Sequence, residues 1–300
     1  MRPRVDAVLG LGRTVADLGR TEAFYRDGLG FRRLGPIERI PVPLLEALDL
    51  PDASGECLRM GLGEQTIAFL AFDAPGRHGP VDAGADETGF QHAAIVVTDM
   101  ARAYAQIQRM APTPISQGGP RVLPASSGGV MAWKIRDPDG HPLELLAFPH
   151  GGAGSPWAGA TELFAGIDHS AIVVTDVDAA IAFFRDGLGL ELGTRGLNRG
   201  PEQAALDGLA DPVVDVIALA PTRAKTPHVE LLHYRAPPPP RASSARNRFT
   251  TRFHCLVNDL PGLLARLSEA YPVILSRDGR MAGLAGPDGH GLLLIQAGDD

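Results

Sequence analysis

The amino-acid sequence predicts an α+β fold made of four successive βαβββ units, and repeated segments are the basis of this prediction. A strand motif occurs twice, as QHAAIVVTDM (Gln91–Met100) and as DHSAIVVTDV (Asp168–Val177). A second motif, which ends in F-[YF]-R-D-G-L-G, occurs at Thr14–Phe31 and at Val173–Leu190. Self-similarity along a chain is the signature of a fold assembled from copies of one supersecondary unit.

Each unit is predicted to begin with an apolar strand that leads directly into a helix. An aspartate follows the strand at the position of a helix N-cap, where its carboxylate can accept a hydrogen bond from the first helical turn. The four capping residues are Asp17, Asp99, Asp176 and Asp259. In units one and three the sequence Gly-Leu-Gly supplies the C-terminal stop of the helix.

Each unit is predicted to end in two or three strands, and a hairpin motif marks the last pair in units two and four. The motif reads RDPDGHPLELLAF at Arg136–Phe148 and AGPDGHGLLLIQA at Ala285–Ala297. Pro-Asp-Gly favours a tight turn because proline fixes φ and glycine accepts a positive φ. The apolar run after the turn is typical of a strand.

These motifs divide the chain into two halves of two units each. We expect one domain at 1–150, with units at about 5–74 and 88–150, and a second at 162–300, with units at about 164–236 and 249–298. Segments rich in Pro, Gly and Ser connect the units and are predicted to be linkers. They are Asp73–Gly89, Pro149–Gly159 and Ala236–Arg248.

Composition excludes several classes of protein. The formal net charge is −7 and no run of Lys or Arg occurs, so we expect no nucleic-acid partner. No apolar stretch approaches the length of a transmembrane helix, and the N-terminal residues do not have the pattern of a signal peptide. We therefore expect a cytoplasmic protein without membrane contact, in which Cys57 and Cys255 are reduced core thiols.

The helix end F-[YF]-R-D-G-L-G and the hairpin D-P-D-G-H-x-x-E-L resemble the marks of the vicinal-oxygen-chelate superfamily, which includes glyoxalase I, epimerases, extradiol dioxygenases and bleomycin-resistance proteins. The resemblance extends over all four units. It implies that βαβββ units pair into two open barrels. It also implies that a divalent metal is held by residues from the first and last strand of each unit.

Two of the four units carry residues that can bind such a metal. Seven residues before each capping aspartate, at the head of the first strand, the chain has Gly10, His92, His169 and Arg252. The matching positions in the last strands are Ala68, Glu144, Glu230 and Leu293. Units two and three therefore supply His92, Glu144, His169 and Glu230. One complete site and one empty site is the simplest interpretation.

The four residues suit a divalent ion such as Ni, Co, Zn, Mn or Fe. Two neutral imidazoles and two carboxylates balance its charge and leave coordination positions for substrate oxygens. A glutamate in an otherwise apolar strand is costly to bury without a partner, and a metal would be that partner. A histidine at a strand head is, however, often an ordinary core residue, and Glu144 within LELL could face solvent.

The sequence does not determine which units pair. If units three and four paired, His169, Glu230 and His254 would form a set of two histidines and one carboxylate, as in non-haem iron enzymes. His254 lies two residues beyond the expected position, which argues against this arrangement. Units two and three could instead meet within one chain or through a domain-swapped dimer, so the protein could be a monomer or a homodimer.

Several further residues are candidates for contact with a small-molecule substrate. The segment Arg195–Pro212 is polar and rich in turn residues, as substrate-contacting loops often are. The remaining candidates lie on strands near the proposed ligands or at their ends. The candidates are Trp133, Asn198, Arg199, Gln203, His228, Tyr234 and His254.

The leading functional hypothesis is a metal-dependent lyase or isomerase that resembles glyoxalase I and the epimerases. The metal would acidify a carbon next to a carbonyl, and either Glu144 or Glu230 would take the proton. The second hypothesis is an extradiol-type dioxygenase with iron(II). The third is a protein that binds a small molecule without turnover, as bleomycin-resistance proteins do.

Overall fold

The computed structural model describes residues 2–76, 83–235, 245, 247 and 250–298. Most of the predicted linker Ala236–Arg248 lies outside these residues. Within the described chain the strands form two mixed sheets of nine strands each, with few helices. None of the helices described is long and apolar enough to cross a membrane.

The elements follow the predicted order of strand, helix and strands in every unit. Unit one contains β1 (Val5–Thr14), α1 (Leu18–Ala23, continued by a π-helical turn at Phe24–Gly28), β2 (Arg32–Arg33), β3 (Glu38–Arg39), α2 (Val42–Ala47), β4 (Gly55–Leu62) and β5 (Gln65–Phe72). Unit two contains β6 (Gln91–Val97), α3 (Met100–Gln108), β7 (Thr113–Pro114), β8 (Arg121–Val122), a 3-10 turn (Ala125–Ser127), β9 (Met131–Arg136), β10 (Pro142–Ala147) and a second 3-10 turn (Pro149–Gly152).

The second half of the chain repeats this order. Unit three contains β11 (Phe164–Val173), α4 (Val177–Ile181, continued by a π-helical turn at Ala182–Gly187), β12 (Glu191–Arg199), α5 (Pro201–Asp207), β13 (Val213–Ala220) and β14 (His228–Tyr234). Unit four contains β15 (Thr251–Val257), α6 (Leu260–Leu267), β16 (Val273–Leu275), β17 (Met281–Ala285) and β18 (Gly291–Gln296).

Each sheet takes one unit from each half of the chain. The order β12-β13-β14-β11-β6-β10-β9-β7, with β8 on β9, joins units two and three, and we call it the 2/3 sheet. The order β16-β17-β18-β15-β1-β5-β4-β2, with β3 on β4, joins units one and four, and we call it the 1/4 sheet. In both, the first strands of the two units pair antiparallel. Neither sheet closes on itself, so each is an open barrel, as predicted.

The predicted helix starts are confirmed in all four units. Asp17 accepts a hydrogen bond from the backbone N–H of Arg20, and Asp99 accepts one from that of Arg102. Asp176 and Asp259 make the same bond to the residues three positions later. Each aspartate thus satisfies one of the N–H groups that a helix start leaves without an intrahelical partner.

The two Pro-Asp-Gly-His turns connect the sheets. Asp139, in a turn of the 2/3 sheet, accepts a hydrogen bond from the N–H of Ala16, just after β1. His141 Nε2 lies 2.8 Å from the carbonyl oxygen of Thr14. The turn of the 1/4 sheet likewise contacts β11 of the 2/3 sheet, since His290 Nε2 lies 2.7 Å from the carbonyl oxygen of Val173. These turns therefore hold unit two against unit one and unit four against unit three through hydrogen bonds.

The concave faces of the two sheets carry different kinds of side chains. In the 1/4 sheet, Leu44 and Leu45 of α2 form an apolar cluster with residues of β5 and β18. Helix α2 comes so close to β17 that a Cβ on Gly283 would lie 1.9 Å from the carbonyl oxygen of Ala47. An apolar core thus fills much of this barrel, whereas the concave face of the 2/3 sheet holds a group of charged side chains.

Candidate metal centre

The paired strands at the middle of the 2/3 sheet bring four of the predicted residues together. His92 lies on β6 and His169 on β11, and these strands are direct neighbours. Glu144 on β10 is paired with Ala94 of β6, and Glu230 on β14 is paired with Ala171 of β11. Because side chains alternate along a strand, this register directs both histidines and both glutamates to the same face.

The side chains form one connected cluster. The Nε2 atom of His92 lies 2.9 Å from Glu144 Oε2, and the Nε2 atom of His169 lies 3.8 Å from the same oxygen. Glu230 Oε2 lies 3.3 Å from His169 Nε2. Possible ligand atoms of His92, Glu144 and His169 all lie within 4.8 Å of one another. Glu230 lies beside this triad. Its side chain is 21% exposed, against 7% for the side chain of Glu144.

Three imidazole nitrogens of the cluster have no hydrogen-bond partner of acceptable geometry. They are Nδ1 and Nε2 of His92 and Nε2 of His169. Both histidines are buried, with 2% and 5% of their surface exposed. Buried polar nitrogens are normally satisfied, because leaving them without a partner costs about 1–3 kcal/mol each. The three nitrogens are therefore available to bind a further group, and their residue types are ones that could hold a metal ion.

The electrostatics of the cluster keep its carboxylates ionised. Burial alone would raise the pKa of Glu144, but Lys134, His92 and His169 lower it to about 2. Burial likewise opposes ionisation of Glu230, yet His169 and His228 lower its pKa to about 2. The carboxylates of Glu230, Asp168 and Glu144 outweigh burial at His169 and raise its pKa to about 9. The site thus concentrates negative charge, as a cation site requires.

Two further side chains orient His169. Asp168 Oδ2 lies 3.0 Å from His169 Nδ1, and the indole N–H of Trp157 donates to the other oxygen of Asp168. A shift in pairing register between Ile167 and His169 lets these consecutive residues interact. His228 lies beyond them, with Nδ1 3.9 Å from Asp168 and Nε2 3.5 Å from Glu230. His228 was predicted from the sequence as a substrate contact, whereas Asp168 was not predicted.

A buried ion pair that was not predicted from the sequence lies beside the cluster. Lys134 is the cross-strand neighbour of Glu144, and its Nζ lies 2.7 Å from Asp207 Oδ1. The other oxygen of Asp207 accepts hydrogen bonds from Gln203 Nε2 at 2.7 Å and from the Tyr234 hydroxyl at 2.8 Å. A lysine within the apolar strand MAWKIR, directly opposite Glu144, was the available signal for this network.

The cluster opens into a cavity of about 410 Å³. Of the predicted substrate contacts, Asn198, Gln203 and Tyr234 line it, together with the cluster itself. Arg199 is exposed to solvent and is not part of the lining. Apolar side chains such as Leu123, Leu146 and Leu232 form much of the remaining wall.

Trp133 and His254 do not reach this cavity. Trp133 lies next to Lys134 on β9 and so faces the opposite side, where it packs edge-on against Tyr104 at 4.7 Å between ring centroids. His254 lies on β15 of the 1/4 sheet, where it is paired with Gly10 of β1. Units two and three pair in this chain, so the alternative set of His169, Glu230 and His254 is not assembled.

Comparisons with known proteins agree with this architecture. The family model described as Glyoxalase/Bleomycin resistance protein/Dioxygenase superfamily matches residues 6–145 and 166–294. The chain belongs to this superfamily. Lactoylglutathione lyase from Arabidopsis thaliana is 26% identical to this chain over 180 residues. The aligned residues are 59% of this chain and 53% of that relative. The match therefore spans about half the length of that relative.

Solved structures share the fold over nearly the whole chain. Glyoxalase I from Zea mays has a TM-score of 0.62 at 17% identity, over 97% of this chain and 92% of that one. A putative dioxygenase from Bacillus subtilis has a TM-score of 0.59 at 14% identity, over 98% of this chain and 86% of that one. At these identities the likeness concerns the fold alone and does not determine the chemistry of the site.

Proposed function

We propose that this protein is a divalent-metal-dependent lyase or isomerase of the glyoxalase type, which moves a proton at a carbon next to a carbonyl of a small oxygenated substrate. The observation behind the proposal is the cluster of two buried histidines and two ionised carboxylates, in which nitrogens of His92 and His169 lie beside the carboxylates without a well-formed hydrogen bond. A hydrolytic triad or a nucleotide-binding site would need other groups than these.

The residues present fit a divalent metal ion. His92, Glu144 and His169 would hold it, with Glu230 as a fourth ligand that can detach. Two neutral imidazoles and two carboxylates neutralise the charge of Ni, Co, Zn, Mn or Fe. When bound, such an ion acts as a Lewis acid that acidifies the carbon next to a chelated carbonyl.

Glu230 is the better candidate for the base. Glu144 is held between His92 and Lys134 in the tighter part of the cluster, whereas Glu230 is more exposed to the cavity. A carboxylate that takes a proton from carbon has to reach the substrate, and the outer position of Glu230 allows this. His228 Nε2 lies 3.5 Å from Glu230 Oε1 and would orient the carboxylate of the base through this oxygen.

The apolar wall of the cavity favours a substrate with a compact apolar body beside its chelating oxygens. The similarity to a lactoylglutathione lyase supports a substrate that carries a carbonyl group, and lactoylglutathione, although larger and more polar than the apolar wall favours, is the first compound to test.

Exchange of hydrogen with solvent tests the proposal. Metal-loaded protein in D₂O is incubated with lactoylglutathione and a panel of small α-hydroxy and α-keto carbonyl compounds, and loss of the proton next to the carbonyl is followed by NMR. We expect exchange with the wild type, a loss of at least about 100-fold in Glu230→Gln with the metal retained, and no change in Glu56→Gln, which alters an exposed residue of β4 in the 1/4 sheet. Equal exchange in Glu230→Gln and wild type would contradict the role of Glu230.

One observation favours a second candidate. His92, Glu144 and His169 by themselves are two histidines and one carboxylate, the set that binds iron(II) in enzymes that activate O₂. An extradiol-type dioxygenase would consume O₂ with a catechol, lose activity in air and recover it with ferrous iron. Stoichiometric ligand binding without exchange or O₂ consumption would instead support a binding protein without turnover.

A further inference from the structure

A second cavity, of about 510 Å³, lies outside the candidate metal centre. It is bordered by the start of β15 and β18, by the end of α2 and by the turns before β6 and β18. Its walls are mostly apolar, with Leu48, Phe90 and Leu292 among them. Two buried arginines also line it: Arg136, which donates hydrogen bonds to the carbonyl oxygens of Gly140 and Ala83, and Arg252 at the head of β15.

Arg252 has no negatively charged partner among the described residues. Its Nη2 atom donates to the hydroxyl of Thr14 at 2.9 Å and to the carbonyl oxygen of Ala245 at 3.1 Å, and its Nη1 atom has no partner. Only 2% of the residue is exposed. Burial without a compensating carboxylate lowers its pKa to about 10. An isolated buried charge is strongly destabilising unless something neutralises it.

Arg252 occupies the position that corresponds to His92. It is paired with Gly12 across β1 and β15, as His92 is paired with Ala171 across β6 and β11. The other corresponding positions of the 1/4 sheet are Gly10, Ala68 and Leu293, as the sequence predicted. This barrel therefore has no metal ligands at those places, but it has a cation at the head of its first strand.

The same cavity contains other polar atoms without partners. Thr88 Oγ1 and Gln91 Oε1 are buried in its lining and make no hydrogen bond. The three acidic residues of the lining do not pair with Arg252: both oxygens of Asp288 accept hydrogen bonds from Thr175, Glu87 accepts one from the backbone N–H of Gly84, and Asp49 is exposed. The cavity thus contains the guanidinium group of Arg252, which has no acidic partner in the part of the chain that the structure describes.

We propose that this cavity is a second ligand site, which takes a small organic anion whose carboxylate or phosphate group bonds to Arg252 and whose apolar part lies against the apolar wall. Guanidinium groups bind both kinds of oxyanion through charge-assisted hydrogen bonds. The site is independent of the metal chemistry of the 2/3 sheet, and its presence explains why a buried arginine stands where a metal ligand would otherwise be.

Calorimetric titration of the metal-loaded full chain tests this site, with benzoate and inorganic phosphate as probes and neutral benzamide as the control. We expect one site for at least one anion and none for benzamide. Binding should weaken about tenfold or more in Arg252→Met and stay within about twofold of the wild type in His92→Ala. Whether benzoate or phosphate binds more tightly identifies the preferred oxyanion.

The fold of the variants is checked by melting temperature. Without ligand, Arg252→Met should melt no lower than the wild type, because it removes an uncompensated buried charge. If Arg252→Met does not fold, Arg252→Lys decides, since it keeps the charge but loses the planar fork and should bind more weakly. The proposal is overturned if neither anion binds, if Arg252→Met or a folded Arg252→Lys binds as the wild type does, or if His92→Ala abolishes binding.

Discussion

At the scale of single residues, the orientation of His169 depends on Asp168. The carboxylate beside His169 Nδ1 keeps a proton on that nitrogen and turns Nε2 toward Glu144 and Glu230, where a metal ion would replace the Nε2 proton. Partners of this kind fix the tautomer and ring orientation of metal-binding histidines.

Asp168→Asn should therefore lower the affinity for the divalent metal by about 10–100-fold without removing a ligand. Titration with the metal against a chromophoric chelator measures this, and Asp186→Asn, on the exposed end of the α4 segment, is the matched control. Equal metal affinity in Asp168→Asn and wild type would show that Asp168 does not orient His169.

The sequence was most informative about residues that recur. His92, His169, Glu144 and Glu230 were found because each occupies the same place in its unit, and the register of the strands brings them onto one face. Lys134, Asp168 and Asp207 were missed because their importance comes from neighbours on other strands. Trp133 and His254 were included because sequence position alone does not tell which face, or which sheet, a side chain belongs to.

At the scale of elements, α5 shows how tertiary contacts decide local structure. The segment Arg195–Pro212 was predicted as a polar loop, but its middle forms a helix with Pro201 at the start and Gln203, Leu206 and Asp207 buried. The carboxylate of Asp207 accepts hydrogen bonds from Lys134, Gln203 and Tyr234. These contacts fix the helix over the cavity wall.

Breaking the ion pair of Lys134 and Asp207 from one side should destabilise the protein strongly. Lys134→Met leaves a buried carboxylate without its cation, so we expect a loss of about 3–5 kcal/mol in the free energy of unfolding. The double variant Lys134→Met/Asp207→Leu should regain a large part of this loss. Urea unfolding of the single and double variants measures the coupling, and simple additivity of the two changes would contradict a linked pair.

At the scale of the whole molecule, the sequence predicted four units but not their pairing. The first strands of all units are apolar, so any two could pair in a sheet, and the choice depends on long-range contacts. The pairing of units two and three completes the four-residue cluster within one chain. The Pro-Asp-Gly-His turns then hold consecutive units together across the two sheets.

The histidines of the two Pro-Asp-Gly-His turns predict how the stability of the protein depends on pH. Burial lowers the pKa of both His141 and His290. Their contribution to stability is therefore present above the ordinary histidine pKa of about 6.5 and is lost as the pH falls through that value toward the folded-state pKa, by up to about 1.4 kcal/mol per pH unit for each.

Unfolding by urea between pH 8 and pH 5 measures this dependence. The loss of stability on acidification should be smaller in His141→Gln and His290→Gln than in the wild type, and unchanged in the exposed control His150→Gln. Comparison of each variant with the wild type cancels the opposite contribution of His169, whose pKa is raised. Identical pH dependence in all four proteins would show that the turn histidines are not responsible.

The most direct test of the central claim is elemental analysis of the purified chain after expression with divalent metals supplied. The wild type and the control His150→Ala should each contain about one divalent ion per chain, and His92→Ala and His169→Ala should contain none. Absence of metal from the wild type even after reconstitution, or full retention in both histidine variants, would contradict a metal centre in the 2/3 sheet.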